Sequence, residues 1–133
     1  METKIASGRG ALLRGAEIIK RGGVVAFPTE TVYGLGADAY NADAVAEIYR
    51  AKGRPSDNPL IVHIADTEQA EGLVTEFSDA ARAVAKAFMP GPVTLILPKS
   101  PAVPNAVSAG LPTVGIRMPS HEVAREFIRE CGV

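Results

Sequence analysis

Four short segments hold the residues able to do chemistry. Arg50-Ala-Lys52-Gly-Arg54-Pro-Ser-Asp-Asn58-Pro-Leu sets cations at i, i+2 and i+4 and runs into a loop bounded by prolines. Cations at a helix C-terminus are favoured by the macrodipole, which accounts for Arg50 and Lys52. It does not account for Arg54 and Asn58 in a rigid loop ahead of a strand. Such a loop suits a polyphosphate: arginine offers a planar fork to phosphate oxygens and lysine a point charge. The second segment, Pro28-Thr-Glu-Thr-Val-Tyr-Gly-Leu-Gly36, follows an apolar run and carries three hydroxyls, on Thr29, Thr31 and Tyr33. Two readings fit it: a polar-ligand loop at the carboxyl end of a strand, or a strand-to-helix connection held by threonine self-capping. Its spacing matches neither a dinucleotide fingerprint nor a phosphate-binding Walker loop.

His63 lies in an apolar strand, Leu60-Ile-Val-His-Ile64, and alternation turns it with Ile61 away from Val62 and Ile64. A histidine there is either a satisfied core residue or a ligand group. Thr113-Val-Gly-Ile-Arg117 ends an apolar strand in an arginine. That charge is either a solvated strand end or a carboxylate clamp in a cleft. Glu30 and Asp57 are the acids of the two loops, and no spacing describes a metal cage. Cys131 has no motif around it and reads as structural.

The elements that position these groups follow from periodicity. Residues 1–9 read as a tail. Leu12, Leu13, Ala16 and Ile19 recur at helical spacing before Gly22-Gly23 stops the helix. Val24–Phe27, Leu60–Ile64, Val93–Leu97 and Thr113–Arg117 read as strands, and the stretch from Pro28 to Asp38 as loop. Asn41 or Asp43 caps a helix that buries Val45, Ile48 and Tyr49 and runs out near Gly53. Asp66 with Gln69 resembles a capping box, Ser78 caps a helix through Phe88, and Ser120 caps one from His121 to Glu130. Pro98 to Pro112 reads as loop. Helices alternating with short apolar strands predict an α/β fold on a largely buried, mixed sheet.

Composition bounds the rest. The 133 residues carry 14 Lys+Arg and 15 Asp+Glu, for a net charge of −1. One domain with its own core is expected, and a generally basic nucleic-acid binder is not. One cysteine excludes a disulfide framework. No apolar run approaches the ~20 residues of a membrane span, and no apolar leader follows Met1. A cytoplasmic globular protein without membrane contact is the expectation.

Taken together the motifs resemble the YrdC-like family, the threonylcarbamoyl-AMP synthases. The resemblance rests on Gly-Gly-Val-Val-Ala-Phe-Pro-Thr-Glu-Thr-Val-Tyr-Gly-Leu-Gly, on Lys52-Gly-Arg54-Pro with Asn58-Pro-Leu, on Pro90-Gly-Pro-Val-Thr94-Leu-Ile, and on Val114-Gly-Ile-Arg117-Met-Pro. They occur in the family's order over residues 22–119. The resemblance implies a twisted, open, mixed sheet with flanking helices and a concave surface. It also implies formation of L-threonylcarbamoyladenylate and pyrophosphate from L-threonine, bicarbonate and ATP. A partner transferase then moves the threonylcarbamoyl group to a tRNA adenosine.

By the same resemblance, Thr31, His63 and Arg117 contact threonine, and Arg54, Asn58 and Thr113 contact the nucleotide. Lys52 and Arg54 fill the family's KxR pattern and are the candidate catalytic cations. Mg²⁺ is expected to arrive with ATP rather than at a protein metal site. The family continues with a strand and a Ser-x-Asn motif, and this chain stops at Val133 before them. The expectation is therefore a single domain over 1–133 that lacks its C-terminal part. Two other readings share the fold. One is an RNA-binding module using the Arg50-Lys52-Arg54 cluster. The other is a carbamoyl-transfer domain of the hydrogenase-maturation kind.

Overall fold

In a computed structural model of the chain, residues 5, 7–29, 33–53 and 58–132 are described. Chain order is α1 (Arg9–Lys20), β1 (Val25–Pro28), β2 (Tyr33–Gly36), α2 (Ala42–Lys52), β3 (Ile61–His63), α3 (Glu68–Glu71), α4 (Asp79–Phe88), β4 (Thr94–Pro98), α5 (Asn105–Ser108), β5 (Thr113–Arg117) and α6 (Glu122–Cys131). The described strands form two hydrogen-bonded sheets rather than the single one expected. β1 and β2 make an antiparallel hairpin, and a three-stranded sheet runs in the order β3-β5-β4. In the latter, β3 is parallel and β4 antiparallel to β5, so the sheet is mixed as expected.

The hairpin corrects the loop expectation for the stretch from Pro28 to Asp38. Tyr33-Gly-Leu-Gly36 lacks the β-branched residues that announce a strand. Its glycines are there for another reason: the Phe27 ring lies over them. A Cβ on Gly36 would come within 2.7 Å of Phe27 Cε1. The register pairs Phe27 with Gly34 and Val25 with Gly36.

Helix ends follow local chemistry in two cases. Asn41 Oδ1 accepts from the amides of Asp43 and Ala44, each at 3.1 Å, and starts α2. That helix stops at Gly53, whose φ of 60° is left-handed and suits glycine. Ser78 Oγ accepts from Ala81 N and starts α4. The Asp66–Gln69 pair makes only half of a capping box. Gln69 Oε1 accepts from Ala65 N at 2.6 Å and Asp66 N at 3.2 Å. The Asp66 carboxylate turns instead to Arg129, 3.0 Å away. α6 begins after His121 rather than Ser120, with no side-chain cap. Inside the Pro98–Pro112 stretch, α5 forms and buries Val107, with Val103 buried just before it.

Two apolar clusters hold the fold. Val62, Ile64, Val114 and Ile116, on the back of the three-stranded sheet, pack with Val45 and Tyr49 of α2 and with Leu73, Val74, Val103, Val107 and Met118. The second cluster joins Ala16 and Ile19 of α1, Phe27 of β1, and Ala124, Phe127 and Cys131 of α6. Phe27 and Phe127 stack tilted, with centroids 5.4 Å apart.

Candidate functional site

Strand alternation sends β3 and β5 residues to opposite faces by turns. With Val62, Val114 and Ile116 in the core, Ile61, His63, Thr113, Gly115 and Arg117 turn to the front. Register arranges that front in rows. His63, Arg117 and Thr94 lie side by side; Ile61, Gly115 and Ile96 form the next row; Thr113 pairs with Pro98 beyond them. Two sequence-predicted residues, 54 positions apart in the chain (117 − 63), are thus adjacent partners in one parallel ladder. The Ile64 amide donates to the Arg117 carbonyl at 2.9 Å and continues that ladder.

Arg117 is half-buried, and its Nε is shut off from solvent. A planar guanidinium so placed is limited to few orientations, which favours two-point recognition of a carboxylate. His63 is also half-buried. The Phe27 ring meets it edge-on, centroids 6.3 Å apart and planes at 82°. Its Nδ1 is 3.4 Å from the Ile61 carbonyl, so a weak internal contact orients the ring.

A cleft of about 860 Å³ separates the hairpin from the three-stranded sheet. Phe27, Thr29, Lys52, His63, Asp66 and Cys131 line it. Lys52 is the last residue of α2, exposed, one step before the Gly53 cap. The structure thus puts Lys52 and His63 on one cleft, and Arg117 and Thr113 on the sheet face beside it. Asn58 is exposed, but its carbonyl accepts from the Tyr49 hydroxyl at 2.7 Å. That hydroxyl also reaches the Ala106 carbonyl at 3.0 Å. Tyr49 reads as core in the sequence; here it also pins the end of the cationic loop. Thr31 and Arg54, with Glu30 and Asp57, lie outside the described residues.

At the far side of the cleft the hydrogen bond from Arg129 holds the Asp66 carboxyl below its ordinary range. Burial, against the opposing effect of Lys20, pushes the Cys131 thiol up to about 11. It therefore stays neutral at pH 7 and is a poor nucleophile. Among the described residues, no three of His, Cys, Asp and Glu gather into a metal-sized cluster. No described helix is long and apolar enough to cross a membrane.

A family model for Sua5, YciO and YrdC, described as "Telomere recombination", matches residues 17–133. The chain belongs to this family. The YrdC-like chain is 57% identical over 113 residues to a threonylcarbamoyl-AMP synthase of Pyrococcus abyssi, covering 85% of this chain and 33% of the relative. It is 56% identical over 123 residues to the threonylcarbamoyl-AMP synthase of Bacillus subtilis, covering 92% of this chain and 36% of that one. The crystal structure of Pyrococcus abyssi Sua5 complexed with L-threonine matches with a TM-score of 0.91 and 50% identity, over 96% of this chain and 38% of that one. The YrdC-like chain spans about a third of the length of these two relatives. The α/β fold with a mixed sheet and flanking helices is the fold of this family.

Proposed function

We propose that this chain forms L-threonylcarbamoyladenylate from L-threonine, bicarbonate and ATP. The observation that carries the reading is the His63–Arg117 pair, in register on an open sheet face beside a cleft with Lys52 on its wall. It is supported by relatives named threonylcarbamoyl-AMP synthase and by a solved relative complexed with L-threonine.

Threonine brings a carboxylate, which the Arg117 fork binds at two points with His63 beside it. Thr31 contacts the same substrate, and its hydroxyl discriminates the threonine side chain from analogues lacking a polar group. The threonine amine attacks the bicarbonate carbon; the C–N bond forms as a C–O bond breaks and water leaves, which gives a carbamate. One carbamate oxygen attacks the α-phosphorus of ATP. The new P–O bond forms as the bond to the bridging oxygen breaks, and pyrophosphate leaves with that electron pair. Two anions must meet and charge accumulates at phosphorus, so positioning and cationic stabilisation do the work. Lys52 and Arg54 supply the cations, and Asn58 and Thr113 hold the nucleotide. Mg²⁺ enters as part of the MgATP substrate. No protein nucleophile is required. The product passes to a transferase that acts on tRNA, which makes the cytoplasm its place of work.

The test is pyrophosphate release by the 133-residue chain in MgATP and bicarbonate, with and without L-threonine. Threonine-dependent release is expected, falling about 100-fold in Lys52→Ala with an unchanged melting curve. Release indifferent to threonine would overturn the reading. Salt-steep RNA binding with no threonine effect would replace it by the RNA-binding alternative.

A further inference from the structure

One residue holds both ends of the cationic loop. Tyr49 sits one turn before Lys52 on α2 and is 7% exposed, packed in the larger apolar cluster. Its backbone carbonyl accepts from the Gly53 amide, where the helix stops. Its hydroxyl donates to the Asn58 carbonyl at 2.7 Å. The main chain and side chain of one buried residue thus fix where the loop leaves α2 and where it rejoins the fold ahead of β3.

The far anchor is itself tied down. The same hydroxyl is 3.0 Å from the Ala106 carbonyl of α5, so one proton is shared between two acceptors. Two residues past Asn58, the Leu60 amide donates to the Val107 carbonyl at 2.8 Å. α5 therefore holds the exit of the loop from one side and Tyr49 from the other. A phenol in an apolar cluster is costly unless its hydroxyl is bonded, so packing alone is served as well by phenylalanine. The hydroxyl has another use. Lys52, beside the first anchor, lines the cleft, and Asn58 is the second anchor itself.

We infer that Tyr49 is a positioning residue that closes the cationic loop and sets Lys52 against Asn58. The inference rests on the function proposed above, in which these two residues meet the nucleotide. A loop pinned at both ends loses little further freedom on binding, which favours a polyphosphate before any new contact is made. Tyr49 acts on the site from behind, through Gly53 and Asn58.

The experiment compares Tyr49→Phe with Val103→Ala in the full chain. Val103 is 2% exposed in the same apolar cluster and belongs to neither anchor, so its truncation lowers stability without touching the loop. Limited trypsin digestion follows cleavage after Lys52, under conditions where urea melts show both variants folded. Calorimetry measures α,β-methylene-ATP with Mg²⁺, and pyrophosphate release gives KM for ATP and kcat. Tyr49→Phe is expected to be cut after Lys52 about 5-fold faster and to bind the analogue about 5-fold more weakly, the effect of one hydrogen bond. KM for ATP should rise by the same factor while kcat stays within about 3-fold, because no cation has been removed. Val103→Ala should match the native chain in cleavage and in affinity. Equal weakening in Val103→Ala would make the effect one of stability and overturn the inference. So would native cleavage and binding in Tyr49→Phe, or faster cleavage with native affinity. In each of those cases, analogue binding by the native chain leaves the proposed function standing. If the native chain binds no analogue, the proposed function fails and the positioning role with it, and cleavage after Lys52 still reports whether Tyr49 closes the loop.

Discussion

The two faces of the three-stranded sheet are made by the same strands and obey opposite demands. On the back, Val62, Ile64, Val114 and Ile116 are buried against α2 and the segment around α5. On the front, Ile61 and Ile96 stand open, with His63, Gly115 and Arg117 between them. A buried face is set by volume and shape, and an apolar residue of similar size serves there. A face that receives a ligand is set by what is left unfilled and by where charge is held. Because side chains alternate, the front can be emptied for chemistry while the back keeps the strands in place. The ladder that carries stability on one side therefore fixes His63 next to Arg117 on the other.

The largest effect expected from this contrast is on folding. Ile116 is fully buried, and Ile116→Ala should cost about 2–5 kcal/mol by lost transfer energy and the cavity left behind. Ile96→Ala, on the same sheet but the front face, should change stability by no more than about 0.5 kcal/mol. Urea melts of both variants make the comparison. Equal losses would mean that the front face is as tightly packed as the back.

A smaller effect reverses the ranking of the faces. Arg117→Lys keeps the charge and much of the aliphatic stem but loses the planar fork. Threonine affinity should weaken about 10-fold while the urea midpoint stays within error of the native chain. An unchanged affinity would leave Arg117 as a strand-end charge and nothing more.

Alternation made the back face legible. Leu60 to Ile64 and Thr113 to Arg117 each place apolar residues at every second position, and burial follows. The caps at Asn41 and Ser78 were legible because each depends only on a side chain and amides two or three residues away. The hairpin was not legible, because Tyr33-Gly-Leu-Gly36 owes its strand to the ring of Phe27 lying over two glycines. Nor was α5, whose four residues are held by burial of Val107 rather than by helix propensity. Asp66 looked like a cap because its competitor, Arg129, lies 63 residues along the chain. His63 and Arg117 could be singled out one at a time, but their adjacency is a property of register between strands distant in sequence.

The second apolar cluster sharpens the same contrast at its border. Cys131 ends α6 just before Gly132, packs with Phe127 and Ala16, and also lines the cleft. Were it simply part of an open site, its thiol would titrate near the ordinary value of 9.0; burial instead moves it to about 11. In the unfolded chain the thiol ionises first, so the stability from keeping it neutral is fully present below pH 9. It is lost as pH rises from 9 to about 11. Cys131→Ala removes both the packing and the titration. Its destabilisation relative to the native chain should be largest at pH 8 and should shrink steadily toward pH 11 in parallel urea melts. A difference that stays constant across that range would show the thiol already in contact with water, and would move Cys131 from the packed side of the molecule to the open one.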